Sequence, residues 1–380
     1  MELTELRNQI DTIDDQLVDL FVQRMEVAAK IAGVKKEKSL PVFVPARERE
    51  KLADVAKKAG PGMEDYTRTL YSVLFELSRA YQNQLNGYIS PLYSRITQAI
   101  AATPQLFPQN PMVACQGIEG AHSQIAAEKM FKNPFILYFK SFDGVFSAIE
   151  QGLCWYGVLP LENSMAGSVK SVYDLLIRHQ FSIVRSFRMK ADHNLLAKPG
   201  TKLSDIREIY AHERSVNQCG AFLQQLEGIT VTPVTNTAMA AELVCKSDRN
   251  DIAAISSRNC TELYGLECLA GSIQDRDHDY TRFICVSRDL EIYPGSDRTS
   301  IMAVLPHRPG SLYQFLARLY TLGINVTKVE SRSIYGRDFE SMFYLDLETS
   351  VYSDEFVQLM CTLDDLCEEF QYLGSYREVL

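Results

Sequence analysis

The chain contains 380 residues, of which 46% are hydrophobic and 23% are charged, with 20 glycines and 14 prolines. This composition is typical of a globular protein, and the length predicts two to four domains. The net charge of -9 disfavours nucleic acid and anionic membranes as partners, because both bind basic surfaces.

Residues 1–86 are predicted to form an all-α domain. Apolar residues recur at steps of four and three from Leu6 to Val34, which indicates one helix over residues 3 to 36. Such a helix is about 50 Å long, more than a domain of this size covers, so we expect a partner chain to cover the rest. Two further helices are expected at 46–59 and 64–85.

Polar residues interrupt the apolar pattern of these helices. Arg24 takes a position where the heptad favours leucine, and a buried guanidinium must meet an anion, either an acid of a neighbouring helix or a ligand. Cations, an amide, a hydroxyl and a carboxylate are expected on facing surfaces of the same helices: Arg7, Lys35, Arg47, Glu48, Ser78 and Gln82. This set suits a small dianion held between helices.

Residues 87–110 are rich in proline and are predicted to be a linker with one short helix. Residues 111–290 alternate short β-like runs with helical patterns, which predicts a mostly parallel α/β sheet. Polar groups follow four of its strands, starting at Gln116, Glu162, His212 and Ser256. Strand ends of this kind meet at one edge of the sheet, where helix N-termini favour anions, so we expect a cleft there.

A further polar cluster, Asp279 to Phe283, precedes the run FICV and by itself indicates an edge turn. Residues 299–380 then read as strand, helix, strand, strand, helix, strand, with a turn at Tyr335-Gly336. This βαββαβ order is ferredoxin-like. Such domains pair sheet edges or bind small effectors.

The nine cysteines are an odd number without a C-x-x-C pair, which indicates reduced thiols in a cytoplasmic protein. The N-terminus lacks the basic start and apolar stretch of a signal peptide, and no run of about 18 apolar residues occurs. We therefore expect a cytoplasmic protein without a membrane segment, and no spacing indicates a metal or another cofactor.

Three motifs of the first domain resemble the all-helical chorismate mutases: L-R-x-x-I-x-x-I-D at 6–14, P-x-R-E at 45–48 and S-x-x-x-Q at 78–82. The resemblance implies that chorismate rearranges to prephenate without a nucleophile, with Lys35 and Gln82 at the ether oxygen. It implies that the substrate is bound by Arg7 of a partner chain and by Arg24, Arg47, Glu48 and Ser78.

The α/β segment resembles prephenate dehydratases through Q-G-x-x-G-A-H-S at 116–123, L-P-L-E-N-S at 159–164 and T-R-F at 281–283. The resemblance implies two lobes around a cleft, as in type 2 periplasmic binding proteins, with one lobe inserted at about 190–265. Prephenate then loses carbon dioxide and hydroxide together. The proton donor to the hydroxide is Thr281, Glu162 or water. The substrate-binding candidates are Ser123, Asn163, Ser164, Gln218 and Arg282, of which Arg282 either pairs with a substrate carboxylate or braces the loop.

The C-terminal segment resembles ACT domains at two elements, one containing Gly310, Ser311 and Leu312 and the other containing Glu330, Ser331 and Arg332. This implies feedback inhibition by phenylalanine bound between two such domains, and a homodimer or tetramer. In order, the three domains resemble the bifunctional chorismate mutase/prephenate dehydratases, the P-proteins. Two alternatives stay open: an arogenate-preferring dehydratase with a vestigial mutase, and a non-enzymatic amino-acid sensor.

Overall fold

The structure, a computed structural model, describes residues 3–86, 90–276, 278–334 and 341–379. The turn expected at Tyr335-Gly336 lies outside these residues. Within the described ranges, no helix combines the length and the apolar character needed to span a membrane.

The N-terminal domain is all-helical, as predicted. Its three helices are α1 (Leu3–Glu37), α2 (Pro45–Ala59) and α3 (Glu64–Leu85). Proline at the first position of α2 suits a helix start, because the N–H that it lacks would have no intrahelical partner. The only buried residues described in α1 are Ala28 and Ala32, so its N-terminal half is exposed to solvent.

The predicted linker contains a full helix, α4 (Pro91–Ala102), capped by the Ser90 hydroxyl, which accepts a hydrogen bond of 3.0 Å from the Tyr93 amide. Ile96 on this helix is fully buried and packs in the core of the C-terminal domain with Phe315 and Leu359. This segment therefore belongs to a folded core, which differs from the linker expected from its prolines.

The central domain has two lobes, each with its own sheet. The first lobe contains β1 (Met112–Gln116), α5 (His122–Met130), β2 (Phe135–Phe139), α6 (Phe142–Glu150), β3 (Tyr156–Asn163), β4 (Gly167–Ser168), α7 (Lys170–His179), β5 (Ser182–Lys190) and β11 (Tyr280–Ser287). The second lobe contains β6 (Asn194–Ala197), a 3₁₀ helix (Leu203–Asp205), β7 (Glu208–His212), α8 (Glu213–Gln218), α9 (Gly220–Gln224), β8 (Thr230–Val234), α10 (Thr237–Lys246), β9 (Ile252–Ser256), α11 (Asn259–Tyr264) and β10 (Glu267–Ala270).

The strand β11 lies in the middle of the first sheet, antiparallel to both β3 and β5. The expectation of an edge turn at Asp279 to Phe283 is therefore wrong, because Thr281, Arg282 and Phe283 are paired on both sides within β11. The chain passes between the lobes twice, after β5 and before β11. The second sheet has the order β10-β6-β9-β7-β8 and extends beyond the boundary of 265 that the sequence indicated.

The C-terminal domain has the βαββαβ order expected from the sequence. Its elements are β12 (Arg298–Val304), α12 (Ser311–Thr321), β13 (Asn325–Ser333), β14 (Ser341–Glu348), α13 (Asp354–Leu366) and β15 (Glu369–Val379). Its strands pair in the order β13-β14-β12-β15, which is the ferredoxin-like arrangement.

The sequence did not predict that β15 also pairs in parallel with β5, which joins the C-terminal sheet and the first-lobe sheet into ten strands. Gly374 lies at this junction with φ of +136°, and a Cβ there would be 2.2 Å from the Ile183 carbonyl oxygen. Only glycine fits such a close backbone approach.

Candidate active sites

A polar cluster lies between the three N-terminal helices. Ser78 and Gln82 on α3 are buried, and the Gln82 amide donates a 3.3 Å hydrogen bond to the Ser78 hydroxyl. The Gln82 Oε1 atom is buried and has no partner among the described residues. Buried polar atoms without partners are uncommon, so this oxygen marks a place where a further group fits.

Arg24 and Lys35 of this cluster bond to backbone carbonyl oxygens. Arg24 donates to the Leu74 carbonyl oxygen at 3.2 Å, and Lys35 donates to the Val42 carbonyl oxygen at 2.7 Å. Burial lowers the pKa of both groups, and the nearby Glu48 carboxylate partly offsets this effect. Among the described residues, neither cation forms an ion pair. They are therefore available to an anionic ligand.

Arg47, a predicted member of this site, does not face it, whereas Arg7 was expected to reach the site of a partner chain and not that of its own chain. Arg7 and Arg47 are exposed, and Arg47 pairs with Glu50 at 2.7 Å. Glu48 pairs with Arg79, a residue that the sequence analysis did not single out and that also lies over the Phe43 ring. Apolar residues along the same helix as Arg7 are exposed: Leu6, Ile10, Ile13, Leu17 and Leu20.

The second candidate site is a cavity of about 300 Å³ between the two lobes of the central domain. Three of the four strand ends that the sequence placed together line it, through residues that include Gln116, Ser123, Asn163, Ser215 and Gln218. The fourth is separate, because Ser256 is fully buried and donates to the Thr237 carbonyl oxygen at 2.9 Å. Cavities of this size suit small molecules.

Asn163 and Thr281 both line this cavity. They are opposite each other on β3 and β11, so their side chains share one face of the sheet. The Asn163 amide donates to the Thr281 hydroxyl oxygen at 3.1 Å, while the Asn163 carbonyl oxygen accepts from the Met165 and Ala166 amides. The Thr281 hydroxyl is thus an acceptor on one side, and its own proton is free to point into the cavity.

Glu162 and Arg282 face the other side of the sheet. Side chains alternate along a strand, so neighbours of Asn163 and Thr281 point away from the cavity. Glu162 pairs with Arg282 at 3.0 Å and with Lys328 of β13, and Arg282 also pairs with Asp346 of β14. The expectation that Glu162 and Arg282 line the cleft is therefore wrong. Their contacts join the central domain to the C-terminal domain.

Ser164 is exposed and donates to Asp279 at 3.1 Å, and its hydroxyl also accepts from the Tyr280 amide at 2.9 Å. These bonds fix the loop after β3 against the start of β11. Ser164 does not line the cavity that contains Thr281, unlike Ser123.

Three histidines lie at the cavity: His122, His193 and His212. Burial lowers the pKa of His122 to about 4 and also lowers the pKa values of His193 and His212, so all three imidazoles are neutral at pH 7. His122 lies in the motif at 116–123 and His212 at a predicted strand end, but neither had a predicted role, and His193 was not predicted. The sequence feature that could have indicated His193 is the polar run from Asp192 to Asn194, at the first crossing between lobes.

Two cations, Lys190 and Arg214, also line the cavity. Arg214 forms no ion pair within the described part of the chain. A wider cavity of about 620 Å³ adjoins this one and shares His212, Arg214 and Gln218. Positive charge at the cavity suits an anionic ligand in a chain that is acidic overall.

The residues expected to bind phenylalanine lie in two places. Gly310, with φ of 85°, precedes α12, and the Ser311 hydroxyl is buried without a described partner, next to the partly buried Leu312. On β13, Glu330 accepts from the Ser168 hydroxyl, and Arg332 pairs with Asp174 at 2.8 Å. Ser331 lies between them on that strand. Two of the expected effector residues thus contact the central domain.

The fold and both sites define a protein with two separate places for small anions, one between helices and one between two α/β lobes. Residues 113–291 match the prephenate dehydratase family, and residues 6–83 match type II chorismate mutases. Arogenate dehydratase/prephenate dehydratase 2 of Arabidopsis thaliana is 36% identical over 276 residues, which are 70% of this chain and 72% of that protein.

The bifunctional chorismate mutase/prephenate dehydratase of Escherichia coli strain K12 is 28% identical over 391 residues, covering 98% of this chain and 96% of that protein. A solved structure of prephenate dehydratase from Arthrobacter aurescens, in complex with L-Phe, has a TM-score of 0.64 and 25% identity, covering 70% of this chain and 89% of that one. The chain belongs to the prephenate dehydratase family, and its helical segment places it among the bifunctional chorismate mutase/prephenate dehydratases.

Proposed function

We propose that the chain converts chorismate to prephenate at the helical site and prephenate to phenylpyruvate at the cavity between the lobes. The likeness to the Escherichia coli protein over nearly the whole chain supports two activities. The observation that carries the dehydratase assignment is the Asn163–Thr281 pair at the cavity wall.

In the mutase reaction the chain supplies a cage of donors, because the rearrangement needs neither a nucleophile nor a proton transfer. Arg24 binds a carboxylate, and Lys35 and Gln82 stabilise charge on the ether oxygen. Two observations support this assignment: among the described residues neither cation forms an ion pair, and the Gln82 NH₂ group, which donates one N–H to Ser78, has a second N–H to donate. The exposed N-terminal half of α1 fits a partner helix, which brings the partner copy's Arg7 to the site of a homodimer.

In the dehydratase reaction Thr281 donates a hydrogen bond to the departing hydroxyl while carbon dioxide leaves, and formation of the aromatic ring drives both losses. Lys190 and Arg214 bind the substrate carboxylates, and Ser123 and Gln218 orient the rest. Glu162 receives no proton-transfer role, because its carboxylate is engaged by Arg282 and Lys328.

Phenylalanine is the proposed effector of the C-terminal ACT domain. The contacts of Glu330 and Arg332 with Ser168 and Asp174 support this, since they connect the expected effector strand with the segment directly after Asn163. A cytoplasmic location is supported by the nine cysteines, an odd number without a C-x-x-C pair.

The test is turnover of chorismate by the full chain, with each activity removed in turn. Thr281→Ala should lower dehydratase kcat by about 100- to 1,000-fold, the usual loss for a transition-state donor, so prephenate accumulates. Thr281→Ser keeps the hydroxyl and should retain most of the rate.

Gln82→Ala should abolish the mutase activity while added prephenate is still dehydrated. A Thr281→Ala chain with full dehydratase activity contradicts the assignment, and a wild-type chain without turnover favours an amino-acid sensor.

A second candidate substrate is arogenate, because the Arabidopsis relative at 36% identity is named for both activities. Arogenate carries an amino group where prephenate carries a keto oxygen. Comparing kcat/KM for the two compounds with the same enzyme decides between them. A preference for arogenate together with absent mutase activity would replace the first proposal.

A further inference from the structure

Asp279 is a buried carboxylate that is 2% exposed and lies directly before the strand that carries Thr281. It forms no ion pair with any described residue. Instead it accepts from three neutral side chains, Asn163 at 2.7 Å, Ser164 at 3.1 Å and Gln218. Burying a charge without a cation is costly, so an arrangement of this kind needs a reason beyond stability.

The first oxygen of Asp279 determines how Asn163 is presented to Thr281. Since the Asn163 carbonyl oxygen accepts from two backbone amides, its NH₂ group must face Asp279 and Thr281. One N–H goes to Asp279 and the other goes to the Thr281 hydroxyl. The two backbone amides set which way the Asn163 amide faces, and the carboxylate takes one of its N–H groups, so that the other goes to Thr281 and not to the Tyr280 carbonyl oxygen at 3.4 Å.

The second oxygen of Asp279 holds Gln218, a residue of the opposite lobe. Because the Gln218 NH₂ group donates to this oxygen, its carbonyl oxygen must accept, and it does so from His193 Nε2 at 2.8 Å. The chain of hydrogen bonds therefore runs from His193, at the crossing between lobes, through Gln218 and Asp279 to Asn163. It crosses the cleft beside the cavity.

We propose that Asp279 is a positioning residue of the dehydratase site, whose two oxygens orient Asn163 and Gln218 towards the substrate. It acts through these two amides and does not touch the reacting atoms. The inference rests on the proposed dehydratase function. Orientation of this kind matters because a donor misplaced by about 1 Å loses much of its effect on the transition state.

The experiment is a double-mutant cycle in the full chain, with dehydratase kcat and KM measured for wild type, Asp279→Ala, Asn163→Ala and the double variant. Asp279→Ala alone should lower kcat by about 100-fold. In the Asn163→Ala background the same substitution should lower kcat by less than about threefold. An equal fold loss of kcat in the two backgrounds overturns the proposal, as does an unchanged kcat in Asp279→Ala. Unchanged mutase activity and thermal midpoint show that the variants are folded.

Asp279→Asn provides a second test if the alanine variant fails to fold. The amide keeps one acceptor oxygen for Asn163 but presents an NH₂ group to Gln218. We expect kcat within about tenfold of wild type and a KM raised about fivefold or more. A kcat as low as expected for Asp279→Ala, with unchanged KM, overturns the proposal.

Asp192→Ala is the matched control. Asp192 is also a carboxylate at the crossing between lobes and accepts from Asn194 at 3.2 Å and Ser272 at 2.9 Å. Within the described part of the chain it forms no hydrogen bond with Asn163 or Gln218. Its removal should leave kcat within about threefold. If Asp192→Ala lowers kcat as much as Asp279→Ala does, the loss of kcat comes from a general loosening of the lobes and the proposal fails. If wild type dehydrates neither prephenate nor arogenate, the proposed function fails instead.

Discussion

Replacing Arg282 by methionine tests whether the buried ion pairs on the side of β11 away from the cavity hold the central and C-terminal domains together. The side chains of Arg282 and Asp346 are 8% and 3% exposed, so solvent screens their interaction little. Arg282→Met leaves Asp346 buried with hydroxyl partners such as Ser300, at 2.5 Å. Removing one member of a buried pair costs about 3 to 5 kcal/mol, because the other charge stays uncompensated.

Asp346→Asn should cost less, about 1 to 2 kcal/mol, since Arg282 keeps Glu162 at 3.0 Å and Glu378 at 3.7 Å. The predicted order of stability is therefore wild type, then Asp346→Asn, then Arg282→Met. This order depends on the geometry of the network and not on the number of charges removed.

Urea unfolding measures these losses, and the fluorescence of the only tryptophan, Trp155, reports on the first lobe. With a slope of about 3 kcal/mol/M, the midpoint of Arg282→Met should fall by about 1 M or more. Arg188→Met is the matched control, because its pair with Glu378 is 49% exposed on the arginine side and should contribute less than about 1 kcal/mol. Equal shifts for the two arginines would refute the reasoning.

Three further predictions concern other parts of the chain. Because burial lowers the pKa of His122 to about 4, the unfolded chain binds more protons than the folded chain between pH 6.5 and 4. Stability should fall through that window as the pH drops, by up to about 3 kcal/mol, and urea midpoints of His122→Asn should depend less on pH. Gly374→Ala places a Cβ 2.2 Å from the Ile183 carbonyl oxygen, so its thermal midpoint should fall by several degrees, and an unchanged midpoint would contradict the close approach. The proposed homodimer would cover the exposed face of α1 that contains Leu17, so Leu17→Lys should give a monomer in sedimentation and abolish mutase activity, whereas Asp15→Lys should do neither.

The position of β11 shows which features of the site local sequence can predict. The motifs at 159–164 and 281–283 indicated Asn163, Thr281 and their neighbours as candidates, because residue type limits chemistry. They did not show which of two adjacent side chains enters the cavity. That depends on the pairing of Thr281 with Asn163, residues 118 positions apart in the chain.

The sequence by itself determined the three helices of the first domain, the βαββαβ order of the last and the strand ends that form the cleft, because periodicity and caps are local properties. Only the tertiary structure decided that Glu162 faces Lys328, that α4 packs in the C-terminal core and that β15 pairs with β5. Each of these depends on contacts between distant segments, whose register and partners no local pattern contains.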